Sequence, residues 1–123
     1  MTHHKGQADL IEKVYRINRH HMELFSAFVA KLDGSPDGNG TLLDHTMILY
    51  GGGLADGNRH QHDHLPAMLV GGASGTLKTG RYLNLASTTP INNLYVSMLN
   101  RMGLPIETLG DSTGPLKEIS ELG

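Results

Sequence analysis

Tyr50 to Gly72, YGGGLADGNRHQHDHLPAMLVGG, decides how this chain is read. The apolar run Met47-Ile48-Leu49-Tyr50 leads into it, and a second, Ala67-Met68-Leu69-Val70, leads out. Between them stand Gly51, Gly52 and Gly53, the aspartates Asp56 and Asp63, Arg59, and histidines at alternate positions, His60, His62 and His64. Two buried strands joined by a polar, His-rich loop is the arrangement with which α/β proteins build a site at the carboxyl edge of a sheet. The stretch therefore reads as half of a metal site.

Working outward, Ala8 to Leu32 is the clearest helix. Leu10, Val14, Ile17, Leu24, Phe28 and Leu32 recur at helical spacing, Ile11, Phe25 and Val29 widen the stripe, and no Gly or Pro interrupts it. At about 1.5 Å per residue it is roughly 37 Å long, which suggests a helix laid across a larger sheet. His20 and His21 lie within it; His21 falls on the apolar stripe and reads as a core or boundary histidine. Asp33 to Gly40 (DGSPDGNG) is a turn-rich stop, with Gly34 as the helix cap.

Thr41 to Tyr50 reads as a strand covered on both faces, and Pro66 to Gly72 as a second. Leu77 to Leu85 has room for a short edge strand. Pro90 to Met102 is a second helix, with Thr88 or Thr89 as its cap, Ile91, Leu94, Tyr95, Met98, Leu99 and Met102 as its stripe, and Gly103 ending it. Gly110 to Leu116 is a turn, and Leu116 to Leu122 a last helical turn. The order helix, strand, loop, strand, helix predicts an α/β fold, a few-stranded and mostly parallel sheet with a long N-terminal helix and a second C-terminal one. Residues 1–123 read as a single domain. Two or three strands cannot make a sheet buried on both faces, so the chain is expected to be a piece of something larger.

The composition excludes several function classes. A net charge of -2 and the lack of a Lys/Arg run argue against nucleic acid. No stretch approaches the roughly 18 apolar residues of a membrane span. There is no cysteine, hence no disulfide and no thiolate zinc site, and the compartment is left open. The N-terminal MTHHKGQ has no apolar signal core. Sixteen glycines, roughly twice average usage, put much of the chain in turns. Gly51 to Gly53 match neither a phosphate loop nor a dinucleotide fingerprint. No Gly-x-Ser-x-Gly elbow occurs, and Ser74, Ser87, Ser97 and Ser112 have no evident base beside them.

His60, His62 and His64 carry the strongest chemistry. In an extended segment they point the same way, and in a loop they can converge on one cation. Imidazole nitrogen suits zinc first, and also iron, nickel and copper. Asp56 and Asp63 can add oxygen ligands. The blander alternatives are a polar surface loop or an adventitious metal tract. His3 and His4 form a second pair, whose neutral reading is a frayed end.

The segments THHKGQ, INRHHMELFSAFVAKL, GNGTLLDHTMILYGGGLADGNRHQHDHLPAMLVGGASGTLKTGR and NLYVSMLNRMGLPIETLGDSTGPL resemble, in order and over nearly the whole chain, the C-terminal portion of the bacterial "domain of unknown function 1552" proteins. Behind that lies a broader similarity to the alkaline phosphatase/sulfatase superfamily. LPAMLVGG resembles its late core strand, and TPINNLYVSMLNRMGLPIETLGDS its closing helix and turns. The resemblance implies a partial alkaline-phosphatase-like fold and kinship with metal-dependent phosphoric and sulfuric ester hydrolases. It implies a divalent metal, zinc first among candidates, with His3 and His4 in the early metal segment and His60, His62 and His64 at the late metal-binding position. The strand end departs from that pattern: Tyr50 is followed by Gly51-Gly52-Gly53 where an acid or histidine usually sits, unless Asp56 replaces it. The resemblance also implies that the strand carrying the first aspartate and the nucleophile belongs to a missing N-terminal portion, and that longer relatives are exported.

Three expectations follow. The first is a metal-binding segment of a hydrolase relative that is not catalytically complete alone. The second is a non-enzymatic binding or scaffold module whose His-rich loop is structural. The third is a small α/β protein that completes its sheet as a homo-oligomer.

Overall fold

A computed structural model describes residues 2–120. Its elements are α1 (Ala8–Asp33), β1 (Pro36–Asp37), β2 (Gly40–Thr41), β3 (Ile48–Gly51), β4 (Ala67–Val70), a single 3-10 turn (Ala73–Gly75), α2 (Asn92–Arg101) and α3 (Lys117–Ser120). The chain forms two compact units, 1–42 with 49–68, and 43–48 with 69–123. Of the terminal helical turn expected over Leu116 to Leu122, Glu121 and Leu122 lie outside the described residues.

Helices and strands are both present, as expected, but the sheet is not the mostly parallel one. The strands form two separate two-stranded antiparallel sheets, β1 with β2 and β3 with β4. The reason is in the connections. Gly38 and Asn39 are a two-residue loop between β1 and β2, too short for anything but a hairpin. Between β3 and β4 the chain has no crossover helix, only the polar loop, and it folds straight back. Of the predicted strand Thr41 to Tyr50, Thr41 ends β2, Leu42 to His45 are turn, and only Ile48 to Tyr50 are extended in β3. The predicted edge strand within Leu77 to Leu85 is irregular.

In the first unit, α1 runs one residue past its expected end. Three i,i+4 pairs, Lys13–Asp9, Arg16–Glu12 and Arg19–Glu23, decorate its polar side. All are exposed, and such pairs contribute little. Phe25 on its inner face stacks on Tyr50 of β3, ring centroids 4.6 Å apart. Nevertheless α1 buries no residue fully. Ile11, Tyr15 and Met22 on one flank, and Ile17, Leu24 and Phe28 on the other, remain exposed. His20 and His21 are exposed too, so His21 is neither core nor boundary. The expected sheet under the helix is a two-stranded ribbon, too narrow to cover half a helix surface.

The second unit holds the buried core: Leu94 and Val96 of α2, with Leu116 and Ile119 from the tail. The buried face of α2 is not the apolar stripe read from the sequence. It is Asn93, Val96 and Ser97, with Leu94 beside them, while Tyr95 and Met102 face solvent. Tail backbone explains the exchange. Asn93 donates from Nδ2 to Thr113 Oγ1 (3.0 Å), accepts from the Thr113 N–H (2.9 Å), and its carbonyl accepts from the Leu116 N–H (3.0 Å). Ser97 Oγ accepts from that same Leu116 N–H (2.8 Å). A tail strapped across a helix must satisfy its own backbone polar groups, and polar side chains on the helix face do so. The N-cap is Ile91, without a side-chain bond, rather than Thr88 or Thr89. The end is as expected. Gly103 is left-handed (φ 83), its N–H reaches the Asn100 carbonyl, and the Leu104 N–H reaches that of Leu99. Gly71 (φ 108) carries β4 into the loop beyond it; a side chain there would run into the Thr46 carbonyl.

Candidate metal centre

The site lies within the first unit and is built from a small hairpin inside the polar loop. Asp56 and Gln61 form an antiparallel bridge, with Ala55 N–H donating to the Gln61 carbonyl (2.9 Å) and Gln61 N–H to that of Asp56 (3.0 Å). Gly57 to His60 is the turn between them. Asp56 Oδ1 accepts from the N–H groups of Asn58 (2.8 Å) and Arg59 (3.2 Å), the side-chain turn for which aspartate is favoured. The bond to Asn58 foremost holds the Asp56 carboxyl below its ordinary pKa; desolvation, next in weight, opposes it, and the Arg59 bond with the Arg59 and His4 charges acts in the same direction as the Asn58 bond. Its carboxylate is therefore ionised but largely occupied by its own loop.

The N-terminal segment docks on this turn. The Lys5 N–H donates to Asn58 Oδ1 (2.7 Å). Thr2 sits over Gly57 so closely that a β-carbon added at Gly57 would lie 2.5 Å from Thr2 Cβ. His3 and His60 meet as a result, ring centroids 5.3 Å apart and planes inclined by 57°. Two imidazoles bound to one tetrahedral zinc at about 2.0 Å place their ring centres roughly 5 Å apart, a spacing that this pair shares. Both rings are exposed, and no cost of burial opposes a cation there.

The other sequence candidates divide. His4 Nδ1 accepts from the Gly6 N–H (3.1 Å), so in the neutral ring Nδ1 carries the lone pair and is already used. His62 Nδ1 lies 3.1 Å from the Gly53 carbonyl, which can only accept. Nδ1 therefore carries the proton and Nε2 presents a free lone pair, the orientation by which a backbone carbonyl usually poises a metal-binding histidine. His64 is set apart, its Nε2 4.0 Å from its neighbour Asp63. Among the described residues no three His, Asp or Glu side chains converge as a metal-binding group. The structure thus joins His3 to His60, brings His4 within electrostatic reach of Asp56, and leaves His62 and His64 outside the pair.

Backbone conformation marks the same place. Of the five non-glycine residues with positive φ among the described residues, Lys5 (51), His60 (54) and His64 (53) belong to the docked segment or the loop. Such conformations cost of order 1 kcal/mol and persist where surrounding contacts enforce them. Sequence reasoning missed Asn58 as the clamp and Gly57 as its seat, although Asp56-Gly57-Asn58 is a turn signal in its own right. Compared with known proteins, the chain matches no family model, no curated protein and no solved structure.

Proposed function

We propose that this chain is the metal-binding segment of an alkaline phosphatase/sulfatase-like hydrolase relative, with a divalent ion, zinc first, held initially by His3 and His60. The observation that supports this reading is the meeting of those two rings at 5.3 Å, from segments far apart in sequence. The motif resemblance supplies the hydrolase half of the proposal. A divalent ion at such a place supplies Lewis acidity toward a phosphoryl or sulfuryl oxygen. The chain's own share is to present the imidazoles, with Asp56 and the Asn58–Lys5 clamp holding the loop and the N-terminal segment together. We assign it no turnover of its own: the rest of the coordination shell and the nucleophile belong to another segment. The uncovered flanks of α1 support a partner surface, formed by the remainder of a longer domain or by a second copy.

A second reading has its own observation. Asp56 spends its carboxylate on its own turn, and the Nδ1 lone pair of His4 is taken by the Gly6 N–H. This suits a non-enzymatic binding module whose His-rich loop is structural. Zinc titration by calorimetry separates the two. The first reading expects saturable binding of one equivalent, weakened at least tenfold by His3→Ala and by His60→Ala alike. Absence of binding, or binding indifferent to both substitutions, sinks it in favour of the second.

A further inference from the structure

The second unit carries a cationic cluster that the metal reading does not use. The loop after β4 is tightly folded: the N–H groups of Gly75 and Leu77 both reach the Gly72 carbonyl, and Thr76 Oγ1 donates to the Ala73 carbonyl (2.7 Å). Two arginines anchor to this loop through Nε. Arg101, from the end of α2, donates to the Thr76 carbonyl (3.3 Å), and its Nη1 to that of Ser97 (3.3 Å). Arg81 donates to the Lys78 carbonyl (3.0 Å). Their guanidiniums are thus anchored two residues apart on one short piece of backbone, with Lys78 itself supplying one of the two anchoring carbonyls. Partial burial lowers the Arg101 pKa, and the Arg81 charge is near enough to lower it further.

Like charges brought together normally find a counter-ion. Here none of Lys78, Arg81 and Arg101 pairs with a carboxylate among the described residues. Both Nη groups of Arg81 and Nη2 of Arg101 have no hydrogen-bond partner there either. Guanidinium forks of this kind match the oxygens of a phosphoryl group, and anchoring through Nε removes part of the ordering cost of binding one. Tyr82, the next residue, is 87% exposed, an aromatic surface beside the cations.

We propose that Lys78, Arg81 and Arg101 form a binding site for a doubly charged tetrahedral oxyanion, either inorganic phosphate or a phosphate monoester. The site is independent of the histidines, and its test does not depend on metal.

The full chain is titrated by NMR with inorganic phosphate and with phenyl phosphate, at constant ionic strength and with chelator present. Saturable shifts of the Arg81 and Arg101 Nε–H signals, and of the Thr76 to Lys78 amides, are expected. Arg81→Gln, an exposed change, weakens binding about tenfold, and Lys78→Gln weakens it by a smaller factor. Tighter binding of phenyl phosphate with shifts at Tyr82 assigns the site to esters, and equal binding assigns it to the free anion. Shifts that never saturate, that sodium chloride reproduces, or that survive Arg81→Gln unchanged overturn the proposal.

Discussion

Gly57→Ala tests the docking of the N-terminal segment with the smallest possible change. The new methyl would stand 2.5 Å from Thr2 Cβ and 2.9 Å from its Oγ1, so one side must move. The φ of Gly57 is not in the left-handed region, so the turn itself accepts alanine. Thr2 is exposed at the start of the described chain, and it is the side that yields. The global cost is therefore small, about 1 kcal/mol or less. The local consequence is larger. His3 no longer rests on His60, and a cation must recruit it against the ordering entropy of Thr2 and His3, roughly 1 kcal/mol per residue. Zinc affinity should fall tenfold to a hundredfold, read by competition with a chromophoric chelator. Thr2→Gly removes the colliding Cβ, so the double variant Thr2→Gly/Gly57→Ala should recover to within about threefold of the parent. Parental affinity in Gly57→Ala alone would refute the idea that the docked segment supplies a ligand. Failure of the second substitution to rescue would show that the turn, not the clash, was disturbed.

Three further outcomes are expected. Asn93→Ala strands the Thr113 N–H and hydroxyl and should cost about 2–3 kcal/mol in urea unfolding, whereas Ser97→Ala leaves the Leu116 N–H its bond to the Asn93 carbonyl and should cost about 1 kcal/mol. Val96→Ala, at a position 0% exposed, should cost about 2 kcal/mol, read as a lowered Tm, while Tyr82→Ala should leave Tm unchanged. The Asp56 carboxyl is depressed in the folded chain, so its contribution is present above its unfolded pKa and is lost as pH falls through the lower folded value. Amide shifts of Asn58 and Arg59 should follow that low midpoint, and Asp56→Asn should flatten the titration.

The sequence legibility of this chain follows the range of the interactions concerned. α1 was readable because helical periodicity is local and runs uninterrupted from Ala8; its end at Asp33 differs by one residue. The Gly103 stop was readable for the same reason. The parallel sheet was not there to be read. Apolar runs at Met47 to Tyr50 and Ala67 to Val70 announce strands but not their direction, which the intervening loop sets by lacking a helix. The buried face of α2 was misread because Asn93 and Ser97 are polar, and only the tail arriving from Thr113 to Leu116 explains their burial. At the candidate site, the residue types His3, His4 and His60 were legible. Their pairing was not, because it depends on a bond between Lys5 and Asn58, 53 positions apart.

The two units share one thread unevenly. Residues 43–48 belong with 69–123, while 49–68 belong with 1–42. The polypeptide therefore passes between them three times, and neither unit is a continuous segment. During synthesis the hexapeptide 43–48 emerges before any of its later companions and must wait for them. The His-bearing loop, by contrast, finds its N-terminal partner already made. A single cut after residue 68 leaves the first unit whole only with the hexapeptide attached, and one before residue 43 leaves the second whole only with 49–68 inserted, so no single cut separates the two.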